Sequence, residues 1–470
     1  MDRLDPDVVR SAGDYLRTWL PFRQRYLRVP GLQAALMHGD TLELELACGF
    51  ADIAGDVALH TDHRFRVASH SKMFTATAIM VLWDAGRLRL DDRVADHVRA
   101  LAGSPVADVT LRELLSHAGG VIRDGDSADF WQLQGHFLTE AELLRVAREE
   151  GAVTEANQRF KYSNIGYGLL GLVIEAVTGG SYADVVTGTV VTPLRLSATG
   201  PEPGPDVDLA TGYSALAYAD ERVPIAHFDT RAMAAATGFY STAGDLVRFA
   251  AAHFDDAPSV LSAAARRQMR HAWWEVPHVP DQRYGFGLDV VKVGERSTVG
   301  HGGGYPGHIT RTLWDPTAGL AVSVLTNAID GPAAELARGM VRTVDLAAAQ
   351  EADPGLSAQA AASFSGRYAN LWGVLDVVAL GGRLLGVDPT LSHPGEAYRT
   401  LTMVDDSTLS ITDDVGFGAA GEQMTFRRRP DGSVEEVHGG GGLTWWPIEQ
   451  FSLPSEGVRA PVAEPHHRAD

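Results

Sequence analysis

The sequence predicts an α/β (α+β) chain. Its first unit carries antiparallel sheet strands at both ends and helices between them, and a small all-β barrel follows. Three observations predict it. A hairpin signal around His38-Gly39-Asp40 opens the sheet, and a parallel βα repeat would not begin that way. Two densely apolar helical segments, after Phe65 and after Tyr162, occupy the middle. From Thr298 onward the chain returns to strand-like runs. With 470 residues, the chain exceeds the size at which one core usually stops growing, so two or more domains are expected.

In order, "MDRLDPDVVRSAGDYLRTWLPFRQRY" alternates charged and apolar residues like a surface helix. "GLQAALMHGDTLELELACGFADI" gives the two runs of the hairpin. "FRVASHSKMFTATAIMVLW" reads as a helix buried on most sides, because from Met73 nearly every residue is apolar, Ala or Thr. "WDAGRLRLDDRVADHV", "TLRELLSH" and "LTEAELLRVAREEG" are helical or loop-rich. "YSNIGYGLLGLVIEAVTGGSYADVV" is a helix started by Ser/Asn and ended at Gly179-Gly180. "TGPEPGPDVDL" is a Pro/Gly-rich surface excursion. "TVGHGGGYPGHITRTLWDPTAGLAVSVLTNA" reads as two strands about an Asp-Pro turn, and a helix from Pro332 to Ala349 follows. Domain limits are therefore placed at 1–350 for the first unit, 351–360 for a linker, 361–452 for the β unit and 453–470 for a disordered tail. In the β unit, short alternating runs are separated by turn signals such as Pro430-Asp431-Gly432, which suits a barrel or sandwich.

The formal charge of −20 argues against nucleic acid or an anionic membrane as partner, since both attract basic surfaces. No apolar run reaches the roughly 20 residues of a membrane span. The first residues lack a basic n-region followed by an apolar stretch, so the expected location is cytoplasmic. A lone cysteine, Cys48, excludes an intrachain disulfide and leaves no Cys-based zinc or redox motif.

Three short motifs carry chemistry. They are Ser69-His70-Ser71-Lys72, Tyr162-Ser163-Asn164 and His301-Gly302-Gly303, the last followed by Gly304. Serine is a poor nucleophile and needs an adjacent base. Positions three apart share a helix face, so Ser69 and Lys72 project together. Burial and a helix amino terminus both disfavour an ammonium there, which would leave Lys72 neutral and able to take the Ser69 proton. Tyr162 offers a second proton carrier, as a phenolate if cationic neighbours lower its pKa or as a shuttle to the leaving group. Asn164 supplies an amide to orient Lys72 and bind a substrate carbonyl. An oxyanion needs two preorganised donors, of which the Ser69 N–H is one candidate. Each motif alone has a plainer reading: Ser69 as a helix cap with Lys72 in an ion pair, Tyr162-Ser163-Asn164 as a helix start, and the glycine run as a turn. His70 and Ser71 read as packing residues and His117 as a core histidine. Nothing has zinc spacing, no cofactor is implied, and a G-x-S-x-G elbow is missing.

In this chain order the motifs resemble the serine β-lactamase and penicillin-binding protein superfamily, in the branch of class C β-lactamases, D-aminopeptidases, DD-peptidases and related esterases. "LRELLSHAGG", "GFYSTAGDLVRFA" and "LTN" are similar to that branch as well, and the resemblance covers about residues 30 to 345. It implies an antiparallel sheet flanked by helices beside an all-helical subdomain, with the site at their junction. It further implies the Gly304 N–H as the second oxyanion donor and Tyr162 as an activator of the deacylating water. The strand motif departs from true β-lactamases, because His301 stands where they carry a lysine for the substrate's carboxylate. Histidine there resembles the D-aminopeptidase and esterase members. The expected activity is a serine hydrolase that forms an acyl-enzyme on a small amide, short peptide or ester. An acyltransferase or peptide cyclase, or a penicillin-binding sensor that does not turn over, stays open. The β unit, similar to the lipocalin-like modules of some relatives, reads as a cover for the site or as a packing or homodimer surface.

Overall fold

The computed structural model describes residues 4–415 and 418–453. The tail expected to be disordered lies, from residue 454, outside the described residues. The chain divides into two compact units, Met1–Gln350 with Ser392–Gly395, and Glu351–Leu391 with Glu396–Asp470.

The first unit is built on a nine-stranded antiparallel sheet. Its strands are β1 (Gly31–His38), β2 (Thr41–Asp52), β3 (Val57–Ala58), β4 (Trp274–Glu275), β5 (Gln282–Tyr284), β6 (Asp289–Val293), β7 (Arg296–Tyr305), β8 (His308–Asp315) and β9 (Leu320–Thr326). They lie in the order β3-β2-β1-β9-β8-β7-β6-β5-β4. Chain start and chain end of the unit therefore meet at the β1–β9 pair, with Leu32 opposite Thr326 and His38 opposite Leu320.

Strand β1 is buried at every position, which requires cover on both faces. Helix α1 (Pro6–Tyr26) provides part of it, turning Val9, Ala12, Leu16, Trp19 and Leu20 inward at helical spacing, and Gly13 lies against Leu36. Ala35 and Met37 join the other core, with Leu246, Val247 and Phe249 of a helix spanning Ala243–Ala251. The middle of the unit is helical. Helix α2 (Ser71–Asp84) is buried from Ser71 to Met80, and α3 (Asn164–Thr178) is capped by the Ser163 hydroxyl and closed by Gly179 at φ 77°. No single helix among the described residues is long and apolar enough to cross a membrane.

One reading of the first unit is corrected. The stretch from Thr298 holds three strands, because Tyr305-Pro306-Gly307-His308 is itself a hairpin turn, with Gly307 at φ 89°. Strands β4 to β6 extend the sheet edge; β4 and β5 span only two and three residues, while β6, Asp-Val-Val-Lys-Val, alternates buried with more exposed positions.

The second unit is a closed eight-stranded barrel running from Gly366–Asn370 to Thr444–Pro447. Its core holds Leu375, Leu384, Leu401, Leu409, Ile411, Met424 and Phe426. The stretch 351–360 assigned to a linker contains the start of a helix, Ala358–Phe364, capped by the Ser357 side chain. Its alanine-rich sequence favours helix, and Ala361 and Phe364 pack into the barrel core.

Candidate active site

Ser69 lies in a 3-10 turn, Ala68–His70, that leads into α2. Ala68 has φ 46°, a left-handed conformation costly for a residue with a Cβ. The turn is held from several sides. Ser71 donates to Ala68 O at 2.5 Å and accepts the Phe239 N–H at 3.0 Å. His70 Nδ1 donates to Val67 O at 3.0 Å, and its Nε2 meets Thr312 Oγ1 of β8 at 2.9 Å. His70 and Ser71 thus fix the backbone of the turn through hydrogen bonds, beyond the packing expected of them.

The three motifs converge. Ser69 is half-buried while Lys72 is fully buried. Lys72 Nζ lies 3.3 Å from Ser69 Oγ, 2.7 Å from Asn164 Oδ1 and 2.9 Å from Ala236 O. Tyr162 donates its hydroxyl hydrogen to Ser69 Oγ at 2.8 Å. Burial holds the Lys72 pKa well below that of a free lysine, opposed by the carboxylates of Asp124 and Asp289 and assisted by Arg123. A neutral amine has two hydrogens and one lone pair. With the hydrogens given to Asn164 Oδ1 and Ala236 O, the lone pair is left for the Ser69 hydroxyl.

Tyr162 differs from the phenolate alternative. Burial pushes its pKa up, the Ser69 hydrogen bond opposes that, and Asp289 adds to the rise. Its hydroxyl is therefore held protonated near pH 7. The imidazole of His117 packs 4.3 Å from the Tyr162 ring, and its Nδ1 accepts the Ser163 N–H at 3.1 Å. His117 is buried and its pKa is lowered by desolvation, so it fixes the Tyr162-Ser163-Asn164 backbone as a neutral ring.

Strand β7 brings the third motif alongside. A Cβ on Gly303 would stand 2.1 Å from the carbonyl oxygen of Val67, so only glycine lets the strand lie against the nucleophile turn. His301 is buried beside the site. Its Nδ1 donates to Gly302 O at 2.6 Å and its Nε2 accepts the Tyr284 hydroxyl at 3.0 Å. Burial holds its pKa down at about 4, so the ring is neutral near pH 7. Gly302 is half-buried and Gly304 is exposed, which leaves the strand's backbone open next to Ser69.

One residue without a sequence signal joins the cluster. Asp124, in the loop after the helix Leu111–Leu115, is buried and accepts from Asn164 Nδ2 at 2.7 Å. An isolated aspartate in a loop has nothing in the sequence to mark it. Among the described residues no group of three or more His, Cys, Asp or Glu side chains could hold a metal ion.

A half-buried serine within hydrogen-bond reach of a buried lysine amine and of a phenol hydroxyl, beside an open glycine strand, has the make-up of a nucleophile with an adjacent base. Residues 22–345 match the Beta-lactamase family. The chain belongs to that family, within the wider serine β-lactamase and penicillin-binding protein superfamily. Penicillin-binding protein 4 of Amycolatopsis lactamdurans is 31% identical over 323 residues, 64% of this chain and 81% of that protein. The crystal structure of SurE is similar with a TM-score of 0.61 at 25% identity, covering 93% of this chain and 99% of that one. The D-amino acid amidase of Ochrobactrum anthropi SV3, complexed with D-phenylalanine, is similar with a TM-score of 0.62 at 25% identity, over 72% of this chain and 98% of that one.

Proposed function

We propose that this protein is a serine hydrolase that forms an acyl-enzyme on Ser69 and hydrolyses a small amide or ester, of the D-aminopeptidase, D-amidase or esterase type. The observation that carries the reading is the convergence of Lys72 Nζ and Tyr162 OH on Ser69 Oγ, at 3.3 and 2.8 Å. Neutral Lys72 takes the Ser69 proton as Oγ attacks the carbonyl carbon. The oxyanion rests on the N–H groups of Ser69 and Gly304. Tyr162 passes a proton to the leaving amine or alkoxide, and the acyl group stays on Ser69. The proton on Lys72 refills Tyr162; water then attacks the ester, giving a proton to the Tyr162–Lys72 pair, and the pair returns one to Ser69 Oγ as it leaves, which restores the starting state.

The substrate class draws on two supports. Neutral His301 supplies no permanent cation for a carboxylate, which favours neutral amides and esters over β-lactams. Likeness to a D-amino acid amidase favours a D-configured acyl group. Steady-state assays with D- and L-amino-acid p-nitroanilides, p-nitrophenyl esters and a chromogenic cephalosporin test this reading. A D-configured amide or a neutral ester is expected to turn over best, with all activity lost in Ser69→Ala. Preferred turnover of the cephalosporin would overturn the substrate class. Added amine that diverts product without slowing p-nitrophenol release would instead mark acyl transfer.

A further inference from the structure

From the hydrogen bonds behind Lys72 we infer that Asp124 is a positioning residue for the Ser69–Lys72 pair: it fixes which end of the Asn164 amide faces the lysine, and so where the lysine lone pair points. The inference rests on the proposed Ser69 acylation.

A carboxylate can only accept hydrogen bonds, so it forces the donor end of an adjoining amide toward itself. Asp124 Oδ1 accepts from Asn164 Nδ2 at 2.7 Å, which turns Asn164 Oδ1 to Lys72 Nζ, also at 2.7 Å. Were the amide reversed, its NH₂ would meet the amine hydrogens and the lone pair would be drawn to Asn164 and away from Ser69. The carboxylate is itself pinned. Trp131 Nε1 donates to Oδ1 at 3.1 Å and Arg123 Nε to Oδ2 at 3.1 Å. Asp124 does not touch Ser69 in this arrangement; it acts through Asn164.

Asp124 also sets the charge balance at Lys72. The ionisable groups around the lysine are Tyr162 and Tyr167, whose rings lie 4.8 and 5.5 Å from Nζ, with Arg123, Asp124 and Asp289 acting through their charges. His117 and His301 are both neutral near pH 7. Asp289 is already paired with Arg311 at 2.6 Å. Arg123 is largely exposed, with 64% of its side-chain surface accessible, while Asp124 is at 7%. The less screened charge is the carboxylate, so it opposes the loss of the lysine's proton.

The chain has three lysines, Lys72, Lys161 and Lys292, so ¹³C-lysine labelling lets Lys72 be titrated by NMR in the intact protein. The measurement pairs that titration with the rate at which a fluorophosphonate labels Ser69, as a function of pH, in wild type, Asp124→Asn and Asp124→Ala. Asp124→Asn keeps shape and acceptor and removes the charge; the Lys72 midpoint is expected to fall by about one pH unit, and the acid limb of labelling to move down with it. Asp124→Ala removes both, and its plateau labelling rate is expected to fall about 10²-fold, the cost of misplacing a reacting group. Near-UV circular dichroism establishes that the variants are folded, and Trp131→Phe gives a milder release of the same carboxylate. Midpoint and plateau both unchanged in the two Asp124 variants would overturn the inference. If wild type is not labelled at Ser69 at all, the nucleophile reading fails instead, and the Lys72 midpoint still decides whether Asp124 is coupled to the lysine.

Discussion

The glycine at 303 and the carbonyl of Val67 are in direct backbone contact: a Cβ at 303 would lie 2.1 Å from that oxygen and 2.5 Å from Thr310 Oγ1. Neither neighbour can yield cheaply, since Val67 immediately precedes the strained turn at Ala68 and Thr310 belongs to the adjoining strand. Gly303→Ala therefore pushes β7 away from Ser69. The expected result is a fall in kcat/KM of about 10²-fold or more, with a lowered Tm, measured with the best substrate and by thermal unfolding. Gly304→Ala, at an exposed position whose Cβ would meet only Ile309 at 3.5 Å, is expected to leave Tm near wild type.

Tyr162→Phe removes one hydroxyl and no ring. The Ser69 hydroxyl loses its 2.8 Å partner, while the ring still packs on His117. The expected loss in kcat is about 10² to 10⁴-fold, the usual worth of a proton carrier, with Tm little changed. Because burial raises the Tyr162 pKa, wild-type activity should show no gain from phenolate formation between about pH 7 and 10. A rate that rises through this range in wild type and is flat in Tyr162→Phe would contradict the neutral-phenol role.

Substrate charge preference follows from His301. Its ring is held neutral by burial, with a pKa of about 4, and Tyr284 occupies its Nε2. His301→Lys places an ammonium at the same strand position. Its kcat/KM for a carboxylate-bearing cephalosporin, relative to a neutral p-nitrophenyl ester, is expected to rise about tenfold or more. Parallel assays of the two substrates on both proteins check this.

Stability should weaken on the acid side. His253 and His308 are held at about 3 and His301 at about 4, all by burial, against 6.5 for a free histidine. Between these values and 6.5 the unfolded chain binds protons that the folded chain does not, so stability falls as pH drops from about 6.5 toward 4. Each such histidine contributes on the order of 1–2 kcal/mol of loss by pH 5. His253→Leu, whose ring lies against Phe249 and Trp314 at 4.8 and 5.7 Å, should flatten the dependence of Tm on pH.

The site was legible where one short segment carries two reacting groups. Ser69 and Lys72 share a turn, Tyr162 and Asn164 flank the cap of α3, and His301 to Gly304 form one strand, so each motif can be read from one stretch, and their joint chain order with the family resemblance singled them out over the plainer readings. Asp124 was not legible. It meets Asn164, 40 residues on, and a contact of that kind exists only once the chain is folded. The fold shows the same divide. The β1–β2 hairpin and the buried helices are marked by a turn signal and by dense apolar runs, whereas β4 and β5 span only two and three residues and pair in sequence, β4 with β5, β5 with β6 and β6 with β7. The Pro306-Gly307 turn was hidden inside a glycine-rich motif. The helix Ala358–Phe364 was hidden in a stretch whose Pro and Gly suggested a linker, although its seven residues are helix formers or end in an apolar anchor.

In the proposed mechanism Ser69 carries a transient acyl group. Time-resolved intact mass spectrometry tests it most directly, with a p-nitrophenyl ester and a D-amino-acid p-nitroanilide on wild type and Ser69→Ala. An adduct of acyl mass is expected to form on wild type, to clear as product is released, and never to form on Ser69→Ala. Turnover without any adduct on wild type, or an adduct that persists in Ser69→Ala, would contradict it.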